Sequence, residues 1–179
     1  MLRARVGVFP GSFNPPTVAH LAVARAALEQ GGLDRVDLAV SDSALGKETA
    51  GGPSAADREE LLHRVAAGRP WLGTLRTPHQ LVADIADGYD AVVMGADKWA
   101  QVRDPAWYGG SVEARDAAVS RLPAVLVAPR HGHPLSAAEV APGLLLRLPT
   151  HHREVSSSAV RAGRRDWIAA EAADLEWWE

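Results

Sequence analysis

Apolar residues along this chain fall into short runs of strand length. These alternate with longer segments in which apolar positions recur every three or four residues. Arg5 to Phe9, Arg35 to Val40, Trp71 to Arg76, Asp90 to Met94 and Leu144 to Leu148 read as strands, and Arg121 to Ala128 contains another, ending at Pro129-Arg130, which makes six. Val18 to Gln30 is an Ala/Leu/Val helix stopped by Gly31-Gly32. Pro53-Ser54 opens a second helix through about Ala67, with Ser54 as its N-cap. Thr77-Pro78 caps a third through Ala86, with Pro78 at the first helical position. Ser156 to Ala162 and Asp166 to Trp177 complete the helical set. Ser41 to Gly52 is a polar, glycine-containing loop, and Gln101 to Ser120 is the least regular stretch, read as a surface excursion. Strand alternating with helix predicts one α/β domain over residues 1–179. It is Rossmann-like, a mostly parallel sheet with helices on both faces.

Composition narrows the function classes. The chain has 179 residues, 47% hydrophobic and 23% charged, with a formal charge of -3. That is enough length for a sizeable core, and the lack of basic excess speaks against nucleic acid as a partner. There is no cysteine, which removes disulfides and thiolate metal sites and fits a cytoplasmic protein. No apolar run approaches the roughly 18 residues of a membrane span. The N-terminal MLRARVGVFPGSF reads as a first strand, not a signal peptide. The sequence allows a homo-oligomer without requiring one.

The stretch PGSFNPPTVAH, residues 10–20, joins the first strand to the first helix. Such a turn is where α/β folds commonly hold phosphates. Gly11 lets the backbone approach a ligand, Ser12 and Phe13 offer backbone N–H groups, and Pro15-Pro16 stiffen the path to the helix. Thr17 is a good N-cap. His20, three residues on, lies on the same face beside the positive end of the helix dipole.

GSFNPPTVAH resembles the signature of the HIGH-motif nucleotidylyltransferases through Gly11, Ser12, Phe13, Asn14, Pro15, Thr17 and His20. It departs at Ala19, where glycine is usual, and has Thr17 where many members have a histidine. Three later blocks agree in order. Gly95-Ala96-Asp97-Lys98-Trp99 resembles the G-A-D-x-W stretch of nicotinate mononucleotide adenylyltransferases. Val127-Ala128-Pro129-Arg130 resembles the strand-then-arginine turn, and Val155-Ser156-Ser157-Ser158-Ala159-Val160-Arg161 the late serine motif. Adjacent Pro15-Pro16 and Arg58 in a helix after a long loop also resemble the nicotinate branch. Thr77-Pro78-His79-Gln80-Leu81 is similar to its T-x-D-T-L segment, without the usual Ser-Tyr before it. Thr17 and the triple serine are also similar to phosphopantetheine adenylyltransferases.

The resemblance implies transfer of an adenylyl group from ATP to a phosphate monoester, with release of pyrophosphate. The acceptor is nicotinate or nicotinamide mononucleotide, or else another small phosphorylated acceptor with ATP or CTP as donor. A nucleotide-binding module without turnover is the alternative of a different class. By the same resemblance His20, Thr17 and Arg161 are catalytic. Gly11, Ser12, Phe13, Asp97, Arg130, Ser157 and Ser158 hold the nucleotide, Asp97 at a ribose hydroxyl. Lys47, Thr77 and Trp99 are candidates for the acceptor, although Trp99 reads equally as a packing residue. Mg²⁺ accompanies the triphosphate, held by phosphates and water with no protein ligand set. His131 and His133 flank a glycine but lack a third ligand; His151-His152 precede the serine motif; Trp177-Trp178 read as packing residues.

Overall fold

The computed structural model describes residues 3–43 and 52–174. Six strands are arranged in one sheet: β1 (Val6–Pro10), β2 (Arg35–Ser41), β3 (Leu72–Thr77), β4 (Ala91–Gly95), β5 (Ala124–Ala128) and β6 (Leu144–Leu145). Seven helices connect or follow them: α1 (Val18–Gly31), α2 (Ala55–Ala66), α3 (Val82–Ile85), α4 (Ala96–Val102), α5 (Val112–Ser120), α6 (Ala137–Val140) and α7 (Ser157–Arg161). The sheet order is β3-β2-β1-β4-β5-β6 and every pairing is parallel. Parallel strands require crossovers, and the helices supply them. The expected α/β architecture is therefore the observed one.

Alternation along the strands sorts side chains to two faces. Phe9, Val36, Leu38, Val40, Val93 and Leu126 pack with Val23, Ala24 and Ala27 of α1 and Leu62 and Val65 of α2. Val8, Ala39, Val92, Met94 and Val127 pack on the opposite face with Ile85, Trp99, Val102 and Val140. Both faces are thus covered, which is why the strands read as near-continuous apolar runs. Strand order reverses between β1 and β4, whose contact is set by Gly7 opposite Ala91 and Val8 opposite Val92. The crevice beyond the carboxyl ends at such a reversal is the usual ligand position in open α/β sheets.

Four expectations are corrected. Thr77 is the last residue of β3, opposite Ser41 of β2, so it caps no helix; α3 is a single turn starting at Val82. Pairing with β2 extends the strand past the point where Pro78 suggested a helix start. The excursion from Gln101 to Ser120 is ordered as the end of α4, a 3₁₀ turn at Pro105–Tyr108 and α5, the last capped by Ser111 on the Ala114 amide at 3.0 Å. The expected terminal helix from Asp166 is instead two short 3₁₀ turns, Arg165–Trp167 and Ala170–Ala172. Between them Ile168 bridges to Thr17, and the Ala169 amide donates to the Pro16 carbonyl at 3.0 Å. A long helix would forfeit both bonds. Trp177-Trp178 lie outside the described residues. β6 is shorter than its apolar run because Leu146 and Leu148 turn into the α1 side of the core.

Candidate functional site

The turn after β1 is held in place from several directions. The Gly11 amide donates to the Ala39 carbonyl of β2 at 3.0 Å, so that N–H belongs to the sheet and not to a ligand. Four carbonyls of the turn accept bonds from elsewhere in the chain. Ser12 takes one from Arg58 Nη1 at 3.0 Å, Asn14 one from Arg161 Nη1, Pro15 one from Ser157 Oγ at 2.7 Å and Pro16 one from the Ala169 amide. Occupied carbonyls are fixed carbonyls, and they carry negative partial charge that an anion avoids.

Phe13 explains the glycine before it. Its ring is 1% exposed, and its backbone sits at φ 44°, rare for a residue with a Cβ. The ring meets Phe9 edge-on with centroids 5.7 Å apart and His20 at 4.9 Å. A Cβ on Gly11 would stand 2.8 Å from that ring. Gly11 is therefore required by the packed phenyl beneath it. Close approach of a ligand, the reason offered by sequence, is not needed to account for it.

Thr17 caps α1 as expected, and His20 completes a capping box at N3. The Thr17 amide donates to His20 Nδ1 at 2.9 Å, with the Thr17 hydroxyl 3.0 Å from the same nitrogen. A nitrogen that accepts an amide hydrogen carries none itself, which leaves the ring proton on Nε2. Burial pushes the imidazole down from 6.5 to about 4; the nearby Arg130 adds to this and Asp97 opposes it. At neutral pH His20 is an uncharged donor. It can therefore act on an anion by hydrogen bonding and not by charge.

Thr17 and His20 open onto a cleft of about 300 Å³ at the β1/β4 reversal. Gly11, Ser12, Asp97, Arg130, Ser157, Ser158 and Arg161 line it with them, so nine of the residues expected from sequence share one cavity. Asp97 stands in the first turn of α4, whose N-cap is Gly95; a Cβ there would lie 2.5 Å from the Asp97 carboxylate. Arg130 Nε is 3.7 Å from that carboxylate, and Arg130 Nη1 reaches the Val155 carbonyl at 3.3 Å. Among the described residues, the cleft's charged side chains are Lys98, Arg130 and Arg161 against the lone carboxylate of Asp97. A chain with a net charge of -3 thus concentrates positive charge where an anion would sit.

Other expected residues lie elsewhere. Phe13 is core. Trp99 is 7% exposed in the second core with Arg103 over its ring, the packing side of its two readings. Thr77 is 5% exposed and its hydroxyl accepts the His79 amide at 3.2 Å; the cleft is lined instead by Gln80 and Leu81 just after it. Lys47 lies outside the described residues. Ser157 and Arg161 line the cleft but spend bonds on the turn, and Arg161 also donates to Ser158 Oγ at 3.1 Å. Lys98, Trp107 and Tyr108 are cleft residues that pattern reading did not single out. Their signal was weak: two aromatics in a stretch read as irregular. His152 lines the cleft, and burial with the neighbouring His151 lowers its pKa. Ala19 lines it too, at 6% exposed.

Residues 8–163 match the family described as Cytidylyltransferase-like. The chain belongs to that family. Membership agrees with the parallel sheet, the capped turn and the cleft at its reversal. Over 64 residues the chain is 42% identical to a protein of Gloeobacter violaceus named probable nicotinate-nucleotide adenylyltransferase, covering 36% of this chain and 31% of that protein. Over 31 residues it is 64% identical to a Salinibacter ruber protein of the same name, covering 17% and 16%. The matched stretches therefore span less than a third of these curated relatives.

Proposed function

We propose that this family member is a nucleotidylyltransferase that moves an adenylyl group from ATP to nicotinate or nicotinamide mononucleotide, with residues 1–179 acting as one domain. An oxygen of the acceptor phosphate attacks the α-phosphorus, the bond to the β-phosphate oxygen breaks, and pyrophosphate leaves. The acceptor phosphate is already ionised at pH 7, so the reaction needs no general base. That suits a cleft whose histidine is neutral and has its Nδ1 already occupied. Catalysis then rests on alignment and on neutralising charge.

The observation that carries this reading is the convergence of His20, Arg130, Arg161, Ser158 and Lys98 on one cleft that, among the described residues, holds a single carboxylate. In it, His20 Nε2–H donates to the phosphate that becomes pentavalent. Arg130, Lys98 and Arg161 hold the remaining polyphosphate. Asp97 accepts from a ribose hydroxyl. Leu81, Val82, Trp107 and Tyr108 form an apolar and aromatic wall suited to a flat acceptor ring. The names of the partial relatives favour the nicotinate acceptor.

Mg²⁺ fits this donor set only as a companion of the nucleotide. No group of three or more metal-ligating side chains stands together among the described residues, and Asp97 is drawn toward Arg130. Phosphates and water would hold the ion, and it would supply further charge neutralisation. No described helix is long and apolar enough to cross a membrane.

The test is pyrophosphate release from ATP or CTP with nicotinate mononucleotide, nicotinamide mononucleotide and phosphopantetheine as acceptors. Release with ATP and a pyridine mononucleotide is the expected result. Release only with phosphopantetheine or only with CTP would replace the substrate. Nucleotide binding with no release for any acceptor would overturn the enzymatic reading.

A further inference from the structure

We propose that Arg58 is a positioning residue for the phosphate-binding turn, acting through three backbone carbonyls. It stands in the first turns of α2, outside the opening motif and outside the cleft lining. Its guanidinium donates from Nη1 to Ser12 O at 3.0 Å, from Nη2 to Ser41 O at 3.4 Å and from Nε to Ser54 O at 3.3 Å. Those acceptors belong to the turn after β1, the end of β2 and the N-cap of α2. One planar fork on α2 thus ties the start of its own helix to two segments distant in sequence.

The bond to Ser12 has the largest consequence. A peptide unit is rigid, so holding the Ser12 carbonyl toward α2 also fixes the direction of the Phe13 N–H on the same plane. Two peptides earlier, the Pro10–Gly11 unit is held by the Gly11 amide's bond to Ala39. The turn is pinned from β2 on one side and from Arg58 on the other. The carbonyl of Ser41, another cleft-lining residue, is held by the same group. Arg58 is half-buried and makes no ion pair among the described residues, so its bonding is spent on carbonyls. Asp42, the nearby carboxylate, pairs with Arg76 at 2.5 Å. A lysine there keeps the charge but not the fork.

The inference rests on the cleft being a polyphosphate site, and the experiment separates the two ideas. Calorimetric titration of wild type, R58K and R58M with Mg-ATP and with inorganic tripolyphosphate is paired with adenosine binding by ligand-observed NMR. Wild type is expected to bind both polyphosphates. R58M should weaken both by a common factor of about tenfold or more, as for lost charge-assisted bonds, and R58K should fall nearly as far. Adenosine binding should hold in both, because the nucleoside end does not depend on the turn. R58K decides if R58M fails to fold. Wild-type affinity for tripolyphosphate in R58K overturns the proposal, as does an equal loss of adenosine affinity, which would mark a general structural role. A wild-type chain that binds neither polyphosphate overturns the reading of the cleft and this proposal with it.

Discussion

His20 is the residue whose chemistry the tertiary structure changes most. A free histidine titrates near 6.5, and burial of most of this ring, with Arg130 beside it, pushes it down to about 4. Activity that depends on its neutral Nε2–H should therefore hold as pH falls through 6, and decline only toward 4 to 5. A kcat profile with an acid limb at 6.5 that is absent from H20Q would contradict this. A limb shared with H20Q belongs to the acceptor phosphate, whose second ionisation lies at about 6. The same shift acts on stability. The unfolded chain takes up a proton below 6.5 while the folded chain resists until about 4. The stabilisation is full above 6.5 and is lost as pH drops across that window. Urea unfolding of H20Q should lack this component of the acid loss. In turnover, His20→Ala should cost roughly 10²–10³ in kcat, the usual worth of a preorganised transition-state donor. Gly11 makes a steric prediction. Gly11→Ala places a methyl against the Phe13 ring. It should destabilise by about 1–3 kcal/mol, as overpacking does. Adding Phe13→Leu should return part of that in a double-mutant cycle read by urea melts.

At the scale of elements, the cap of α1 and the placement of α7 matter most. Thr17 is 1% exposed and serves both as helix cap and as partner to the histidine ring. Thr17→Ala should cost about 1 kcal/mol of stability as a lost N-cap. It should also lower kcat, since the ring loses the hydroxyl at Nδ1; Thr17→Ser should restore both. α7 is a five-residue helix that sits on the opening turn through Ser157 and Arg161. The serine motif was legible in sequence as a helix start next to an arginine. That its side chains face the turn's carbonyls was not, because the spacing of 142 residues between Ser157 and Pro15 carries no periodic signal.

The whole molecule is organised around the β1/β4 reversal. The segment after the family match continues to shape it: Ile168 and Ala169 bond to Thr17 and Pro16, Ala172 packs on Leu61, and Arg69 pairs with Glu171 at 2.6 Å. Ala169 is 0% exposed within the main core. Ala169→Leu should destabilise by about 1–3 kcal/mol. In hydrogen exchange it should loosen α1's first turn more than β4. Equal protection in both would show that this segment does not support the site.

Strand runs, helix runs and the opening motif were determined by local rules, since periodicity, caps and glycine placement act within a few residues. They sufficed for the α/β architecture and for the opening turn with Thr17 and His20; Asp97, Arg130, Ser157, Ser158 and Arg161 were found only through the resemblance of later blocks to a family. Tertiary structure alone decided which residues bury. Phe13 and Trp99 turned inward because both sheet faces need apolar cover, Thr77 stayed in strand because β2 offered it a partner, and Asp166 onward gave up a helix to bond the turn. These outcomes depend on free energies of contact between segments far apart in the chain, and no local pattern records them.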